Sequence, residues 1–220
     1  MAKFNKIDTL SVIRSTGIVP VFYNKDAELT KKVVKACYDG GIRACEFTNR
    51  GDGAHLVFKE LIGYVRAECP EMALGAGTIL DAPTAALYLQ LGADFLVSPC
   101  IVEEVIALAN RRGVPYSPGC GTVTEIVHAM ERGCDLVKVF PAGTVGGGAF
   151  VKNVLAPLPW AMLMATGAVE PTEENLTAWA NSGVTAVGMG SKLFPKELIA
   201  SADRAAISAL CEQCIKWFKA

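Results

Sequence analysis

Eight short apolar segments recur along the chain, and each is separated from the next by a stretch of helical length. The segments are apolar throughout rather than alternating, which is typical of parallel strands buried on both faces. Such strands alternate with helices in α/β proteins, so repeated βα units are predicted. The predicted strands are Gly17–Phe22, Ala44–Thr48, Met72–Thr78, Phe95–Pro99, Val114–Gly119, Leu136–Pro141, Ala161–Thr166 and Ala186–Gly190.

Amphipathic stretches fill the intervals between these strands, and several end at a glycine just before the next strand. Gly92, Gly113 and Gly183 are examples. Glycine is favoured there because the residue after a helix commonly needs a positive φ. The predicted helices are Ala27–Asp39, Ala54–Glu68, Ala82–Leu91, Ile101–Arg111, Val123–Glu131, Gly148–Leu155 and Thr172–Ser182.

Eight βα units in 220 residues favour a closed (β/α)8 TIM barrel of the α/β class. A doubly wound open sheet is the alternative, because strand order is not visible in a sequence. Two more helices are predicted outside the repeat. An extra N-terminal helix near Lys6–Ser15 is expected to cover the bottom of the barrel, and one over Ser201–Trp217 to extend the outer ring. Residues 1–220 are therefore predicted to form a single barrel domain.

The charges nearly balance, since 21 basic and 22 acidic residues leave a net charge of -1. Such a chain lacks the basic field that draws proteins to nucleic acid or to anionic membranes. The N-terminus has no apolar stretch of signal-peptide length, and no apolar run approaches the ~20 residues that span a bilayer. Small molecules are therefore the expected partners, with no nucleic acid and no membrane, and the cytoplasm is the expected location.

The eight cysteines are scattered through apolar segments, so we expect buried free thiols rather than disulfides. Cys211 and Cys214 have the spacing of a redox or zinc pair, but they lie in a helical pattern without a second ligand pair. His55 and His128, the two histidines, lie outside any metal-binding spacing. No metal and no cofactor are expected, although a site of carboxylates and water stays open.

Lys138 is the most informative polar residue, because it stands inside the apolar segment Leu136–Pro141. Alternation along a strand places it on one face with Phe140. Burial of an ammonium is costly, so desolvation shifts the amine toward its neutral form. A neutral amine is a nucleophile toward a carbonyl carbon. Lys138 is therefore a candidate Schiff-base residue; a buried ion pair, or a side chain that reaches solvent at the strand end, is the alternative.

Two charged residues belong to the second predicted strand and its end. Glu46 places a carboxyl inside the strand, where a raised pKa would suit it for proton transfer, and an ion pair with Lys138 or Arg50 is the alternative. Arg50 ends the strand, and a guanidinium there is a natural partner for a substrate carboxylate, although surface solvation is the simpler interpretation. Thr78 adds a hydroxyl after the third strand.

Small residues follow the last two strands. Gly167 and Ala168 come after strand seven, and Gly190 and Ser191 after strand eight. In barrels the loops at these two places frequently bind phosphate through backbone N–H groups. A phosphate site is predicted there, and ordinary loop glycines are the alternative.

Taken in order, these residues resemble the class I 2-keto-3-deoxy-6-phosphogluconate (KDPG) / 4-hydroxy-2-oxoglutarate (KHG) aldolase family, a family of (β/α)8 barrels. The order and spacing of the motifs along most of the chain carry the resemblance. The motifs are Gly17–Phe22, Glu46-x-Thr48-x-Arg50, Gly75–Leu80, Ser98-Pro99, Pro118-Gly119-x-x-Thr122-x-x-Glu125, Lys138–Ala142 with Gly147-Gly148, Thr166-Gly167 and Gly190-Ser191.

The resemblance implies a role for each matching position. Lys138 would form the Schiff base with the C2 carbonyl of a keto acid, and Glu46 would shuttle protons. Cleavage between C3 and C4 would then release pyruvate and an aldehyde. The family is commonly trimeric, so the resemblance also implies a homotrimer. It implies that Arg50 and Thr78 hold the carboxylate, that Pro99 and Phe140 line the pyruvate pocket, that Thr166 binds substrate, and that Gly167, Ala168, Gly190 and Ser191 bind a phosphate.

Three positions depart from the family pattern. Ala168 stands where the family has the second glycine of Thr-Gly-Gly, Met189 interrupts its Gly-Gly-Ser turn, and Cys100 replaces the glycine of Ser-Pro-Gly. The first two touch the predicted phosphate site, so the choice among phosphorylated gluconate, its galactonate epimer and an unphosphorylated hydroxy-oxoacid stays open. The rival functions are a metal-dependent pyruvate aldolase, a non-catalytic sugar-phosphate-binding barrel and another phosphate-binding barrel enzyme.

Overall fold

The computed structural model describes residues 1–201 and 203–220, within which helices separate nine short parallel strands, except that the fifth and sixth strands follow one another directly. The strands are β1 (Ile18–Phe22), β2 (Ala44–Thr48), β3 (Ala73–Gly77), β4 (Leu96–Val97), β5 (Tyr116–Ser117), β6 (Gly119–Cys120), β7 (Leu136–Val139), β8 (Met162–Thr166) and β9 (Ala186–Met189). The helices are α1 (Lys6–Thr16), α2 (Ala27–Asp39), α3 (Ala54–Glu68), α4 (Ala82–Leu91), α5 (Glu103–Arg112), α6 (Val123–Glu131), α7 (Gly147–Leu155), α8 (Glu173–Ala180), α9 (Lys196–Ser201) and α10 (Arg204–Lys219).

The strands form a nearly closed barrel. Their order in the sheet is β5-β4-β3-β2-β1-β9-β8-β7-β6, so the two edges are β5 and β6. These two are halves of one strand on either side of Pro118, and the Pro118 carbonyl accepts a hydrogen bond from the backbone N–H of Lys138 (3.0 Å). The predicted (β/α)8 barrel is therefore confirmed, and the open-sheet alternative is wrong.

The fifth predicted strand, Val114–Gly119, is wrong as a continuous element. Pro118 has no backbone N–H to donate to a neighbouring strand, so regular pairing stops at this residue. The half before it pairs with β4, and the half after it pairs with β7. The interruption lies beside Lys138, which is paired with Gly119.

The N-terminal helix α1 closes the bottom of the barrel, as predicted. Its Ile13 is buried together with residues near the starts of the strands, among them Val19, Ala44 and Leu136. These side chains form an inner core, separate from the larger core between strands and surrounding helices. Because apolar side chains fill the bottom of the barrel, a polar site is expected at the opposite end, where the strands end.

The C-terminal helix α10 lies in the outer ring of helices, as the sequence predicts. It follows α9 and packs against α2 and α8, in the ring of helices around the barrel. Its Cys211 and Cys214 are buried as free thiols. The expectation of eight buried thiols fails only at Cys100, which is exposed because it follows Pro99 in the loop after β4. Within the described ranges, the helices are all too short or too polar to cross a bilayer.

A buried carboxylate joins the N-terminal segment to the barrel. Asp94 is fully buried and accepts hydrogen bonds from the backbone N–H groups of Lys3 (2.8 Å) and Leu74 (2.9 Å). The guanidinium of Arg66 binds both of its oxygens, at 2.9 and 2.8 Å. Buried charges are tolerated when they are paired and fully hydrogen-bonded, and this one is.

Substitution of Asp94 by asparagine should therefore destabilise the fold by about 3 kcal/mol, because Arg66 loses its counter-charge while remaining partly buried. Urea unfolding monitored by circular dichroism measures the effect. Asp135→Asn is the matched control, since its ion pair with Lys6 lies at the surface and should contribute less than about 1 kcal/mol. Equal effects of the two substitutions would contradict the assigned role of Asp94.

Candidate active site

Lys138 and Glu46 face each other across the interior of the barrel. Lys138 is on β7 and Glu46 on β2, and three strands (β8, β9 and β1) separate them in a ring of eight. The two strands therefore stand on opposite sides of the barrel. Glu46 is 1% exposed and Lys138 6% exposed. The expected burial of both groups is confirmed.

The two groups influence each other without forming an ion pair; the salt bridges of the described residues include neither of them. Burial lowers the pKa of the Lys138 amine, and the charge of Glu46 partly offsets this. Burial likewise raises the pKa of the Glu46 carboxyl, opposed by Lys138 and Arg50. Burial thus shifts both groups toward their uncharged forms, an amine that can attack a ketone and an acid that can donate a proton.

The absence of a side chain at Gly77 determines where the Glu46 carboxyl lies. Gly77 on β3 is paired with Thr48, the residue two positions after Glu46. A Cβ on Gly77 would overlap Oε1 of Glu46 and would stand 2.5 Å from its carboxyl carbon. The carboxyl therefore leans toward the open end of the barrel, into space that only glycine leaves free.

Substitution of Gly77 by alanine should displace this carboxyl and lower kcat by about 10²-fold, because a misplacement of about 1 Å costs that much. Steady-state kinetics on the purified variant measure the loss. Gly63→Ala on α3 is the matched control: nothing lies within 4 Å of its new methyl group, and helical alanine is favoured over glycine. Full activity in Gly77→Ala would mean that the carboxyl position is unimportant.

Arg50 stands at the open end of the barrel, on a segment that is held in place. The preceding residue, Asn49, donates its backbone N–H to the Gly77 carbonyl (2.8 Å) and accepts a hydrogen bond from the buried Tyr88 hydroxyl (2.9 Å). Arg50 itself is exposed, and its charge reaches both Glu46 and Lys138. A cation thus stands above the amine and the acid.

The other predicted pocket residues also lie at strand ends. Thr78 directly follows β3 and has a φ of 62°, a conformation that is strained for a threonine. The Phe140 ring follows β7 and lies 4.7 Å from the Lys138 amine. Pro99 follows β4, and its backbone approaches β6 so closely that a side chain on Gly119 would overlap it. All three residues therefore follow the ends of strands, and Phe140 is in contact with the amine.

The predicted phosphate loops meet at the same end. Thr166 ends β8 and is paired with Gly188 of β9, so the loops after these two strands are neighbours. Ala168 has a φ of 59°, which accounts for the family's preference for glycine at this position. Gly190 and Ser191 line a cavity of about 210 Å³ together with Arg50 and Thr48. The structure therefore brings the sequence-predicted residues together at one end of the barrel.

Sequence reasoning missed three residues of this site. Thr48 and Gly77 lie within motifs, but the sequence assigns neither of them an individual role, and Tyr88 lies within the predicted helix Ala82–Leu91. The alternation of Glu46, Thr48 and Arg50 on one strand face was a usable signal for Thr48. The contacts of Gly77 and Tyr88 depend on neighbouring strands and helices, for which the chain carries no local pattern.

Within residues 1–201 and 203–220, no group of three or more histidine, cysteine, aspartate or glutamate side chains is arranged to hold a metal ion. The acidic and basic groups of the site are instead Glu46, Lys138 and Arg50.

A barrel that presents a desolvated amine to a carboxyl across its interior has the arrangement of a class I aldolase, in which an amine attacks a ketone and an acid handles the protons. Comparison with known proteins makes the assignment more specific. The family model described as KDPG and KHG aldolase matches residues 9–210. The 2-dehydro-3-deoxy-phosphogluconate aldolase of Treponema pallidum is 34% identical over 211 residues, which is 96% of this chain and 97% of the relative.

Solved structures agree with this match. The KDPG aldolase of Legionella pneumophila, captured with pyruvate as a covalent carbinolamine intermediate, has a TM-score of 0.83 and 26% identity, covering 93% of this chain and 96% of that one. The 2-keto-3-deoxy-6-phosphogluconate aldolase of Zymomonas mobilis, solved with 3-phosphoglycerate, has a TM-score of 0.80 and 26% identity, covering 93% of each chain. The chain belongs to the KDPG and KHG aldolase family, whose members are lyases.

Proposed function

We propose that this protein reversibly cleaves a 2-keto-3-deoxy sugar acid 6-phosphate of the KDPG type, 4-hydroxy-2-oxoglutarate, or both, through a Schiff base on Lys138. The products are pyruvate and an aldehyde, either glyceraldehyde 3-phosphate or glyoxylate. One observation carries the proposal: a buried lysine amine, with its pKa lowered by desolvation, faces a buried carboxyl with a raised pKa.

The amine begins the reaction by attacking the C2 carbonyl of the keto acid. Loss of water from the resulting carbinolamine leaves an iminium, which draws electrons from the bond between C3 and C4. Glu46 donates the proton that the departing water needs and, as a carboxylate, accepts the proton of the C4 hydroxyl as the bond breaks. The remaining enamine takes a proton at C3, and hydrolysis releases pyruvate and regenerates the amine.

The neighbouring residues orient the substrate around this chemistry. The Arg50 guanidinium and the Thr78 hydroxyl bind the substrate carboxylate, since both stand at the open end of the barrel above the amine. Pro99 and Phe140 pack against the three carbons that become pyruvate, and Thr166 binds a substrate oxygen. Gly167, Ala168, Gly190 and Ser191 bind the phosphate of a phosphorylated substrate through backbone N–H groups and the serine hydroxyl. The 3-phosphoglycerate in the Zymomonas mobilis structure supports a phosphorylated ligand for a member of this family.

Mass spectrometry after incubation with pyruvate and sodium borohydride tests the proposal. Reduction of the iminium should add one pyruvyl group to each chain, and peptide mapping should place it on Lys138. An enzyme that cleaves the substrate, binds pyruvate, forms no adduct and loses activity in EDTA would instead be a metal-dependent aldolase. Comparison of kcat/KM for the phosphorylated and unphosphorylated substrates then decides which aldehyde is released.

A homotrimer working in the cytoplasm completes the proposal. The family resemblance supports the trimer, and the exposed side chains Leu56, Leu80, Leu87 and Val123 are apolar surface that an assembly would cover. Light scattering during size-exclusion chromatography should give three times the 23.3 kDa chain mass; a mass equal to one chain would contradict the trimer.

A further inference from the structure

Three buried side-chain oxygens lack a hydrogen-bond partner among the described residues, and they belong to one site. They are Oε2 of Glu46, Oγ1 of Thr48 and Oγ1 of Thr166. Buried polar atoms are nearly always paired, so an unpaired one requires an explanation. Glu46 and Thr166 have roles in the proposed reaction, and Thr48 has none.

The position of Thr48 relates it to the reacting atoms. Side chains alternate along a strand, so Thr48 faces the barrel interior like Glu46, but one layer nearer the open end. Phe140 bears the same relation to Lys138 on the opposite side. Thr48 also lines the cavity of about 210 Å³ that Arg50 borders. A keto acid joined to the Lys138 amine would extend through this layer.

The Glu46 carboxyl reaches into this same layer. It leans over Gly77, which is the residue paired directly with Thr48 on the neighbouring strand. Two oxygens without partners, one on the Glu46 carboxyl and one on the Thr48 hydroxyl, thus belong to side chains that border the same residue, Gly77, on one wall of the site. Together they suit a small oxygen-bearing group that both donates and accepts hydrogen bonds.

We infer that the Thr48 hydroxyl binds the oxygen on C2 of the carbinolamine and holds it beside Glu46 while it leaves as water. In this step the protonated Glu46 gives its proton to the C2 hydroxyl, the bond between carbon and oxygen breaks, and the nitrogen lone pair of Lys138 forms the iminium double bond. Glu46 is left as a carboxylate and one water departs. The Thr48 hydroxyl keeps its proton throughout this step. Arg50 is charged and follows the end of β2, and it binds the substrate carboxylate instead. The inference rests on the proposed Schiff-base function.

Time-resolved trapping tests this role. Wild type, Thr48→Val and Thr48→Ser are mixed with pyruvate and quenched with borohydride, which reduces the iminium but not the carbinolamine. Thr48→Val should slow adduct formation about ten- to a hundred-fold at saturating pyruvate, as expected for loss of one hydrogen bond in the transition state. Thr48→Ser should restore most of the rate, and the pyruvate concentration for half-saturation should change little.

Stability separates this role from a structural one. Removal of a hydroxyl that bonds to nothing in the fold should leave the Tm of Thr48→Val unchanged or higher. Thr30→Val on α2 is the matched control, because its buried hydroxyl donates to the Asp26 carbonyl (2.7 Å); it should lower the Tm and leave trapping at the wild-type rate.

Several outcomes would overturn the inference. Trapping at the wild-type rate in Thr48→Val would do so, as would equal slowing in the serine and valine variants. A raised half-saturation concentration with an unchanged maximal rate would assign Thr48 to the carboxylate instead. Failure of the wild type to form any adduct would remove the Schiff-base proposal itself, and that result is read from the wild type alone.

Discussion

Replacement of Lys138 by alanine is expected to lower the rate of aldol cleavage by several orders of magnitude, because the covalent step needs its amine. Trapping of pyruvate with borohydride should vanish in the same variant. The fold should persist, since the substitution removes a costly buried amine and the facing Glu46 can remain protonated. Steady-state cleavage kinetics and adduct mass measure the two effects, and circular dichroism verifies the fold.

Two further variants test whether Lys138 acts through its nucleophilic amine or through its positive charge. Lys138→Arg keeps a cation but should be as inactive as Lys138→Ala, because a guanidinium is never deprotonated in proteins and forms no Schiff base. Lys59→Ala removes an exposed lysine from α3 and should retain wild-type rates. Cleavage near the wild-type rate in Lys138→Ala would end the Schiff-base hypothesis for this residue.

Replacement of Glu46 by glutamine is expected to lower kcat by about 10²–10⁴-fold while the fold and pyruvate binding are retained. The amide has the shape of the carboxyl and fits the space over Gly77, but it cannot donate and accept the proton. Burial raises the pKa of Glu46, so the wild-type residue can act as an acid at a pH where an exposed carboxyl is already ionised. Cleavage kinetics and pyruvate saturation of trapping measure the two quantities.

Glu104→Gln is the matched control for this prediction, since Glu104 is exposed in the first turn of α5. It should leave both quantities unchanged. An unaffected kcat in Glu46→Gln would remove Glu46 from the mechanism, and a large rise in the half-saturation concentration for pyruvate would make it a binding residue instead.

The barrel could be predicted because its signals are local. Each buried parallel strand is an apolar run, and each run is followed by an amphipathic helix, so eight repeats indicate the architecture before any contact is known. The break at Pro118 also had a local signal, since proline rarely continues a strand. Which half would pair with β4 and which with β7 was decided by the closure of the sheet.

The polar residues of the site were predictable for a related reason. A lysine and a glutamate inside apolar strands cannot reach solvent cheaply, so Lys138 and Glu46 stood out from the charged residues of helices. Thr48 was harder to identify, because a threonine in a strand is ordinary. Its proposed role rests on the lack of a hydrogen-bond partner, which is a property of the folded chain.

By itself, the sequence determined the βα repeat, the barrel class and the residues that carry charge into its interior, because these depend on the pattern of apolar and polar residues along short segments. Only the tertiary structure decided that Lys138 and Glu46 face each other without an ion pair, that Gly77 makes room for the carboxyl, and that Asp94 binds the N-terminal segment. These arrangements join residues that are far apart in the chain. They depend on strand register and on the closure of the ring, which no local pattern encodes.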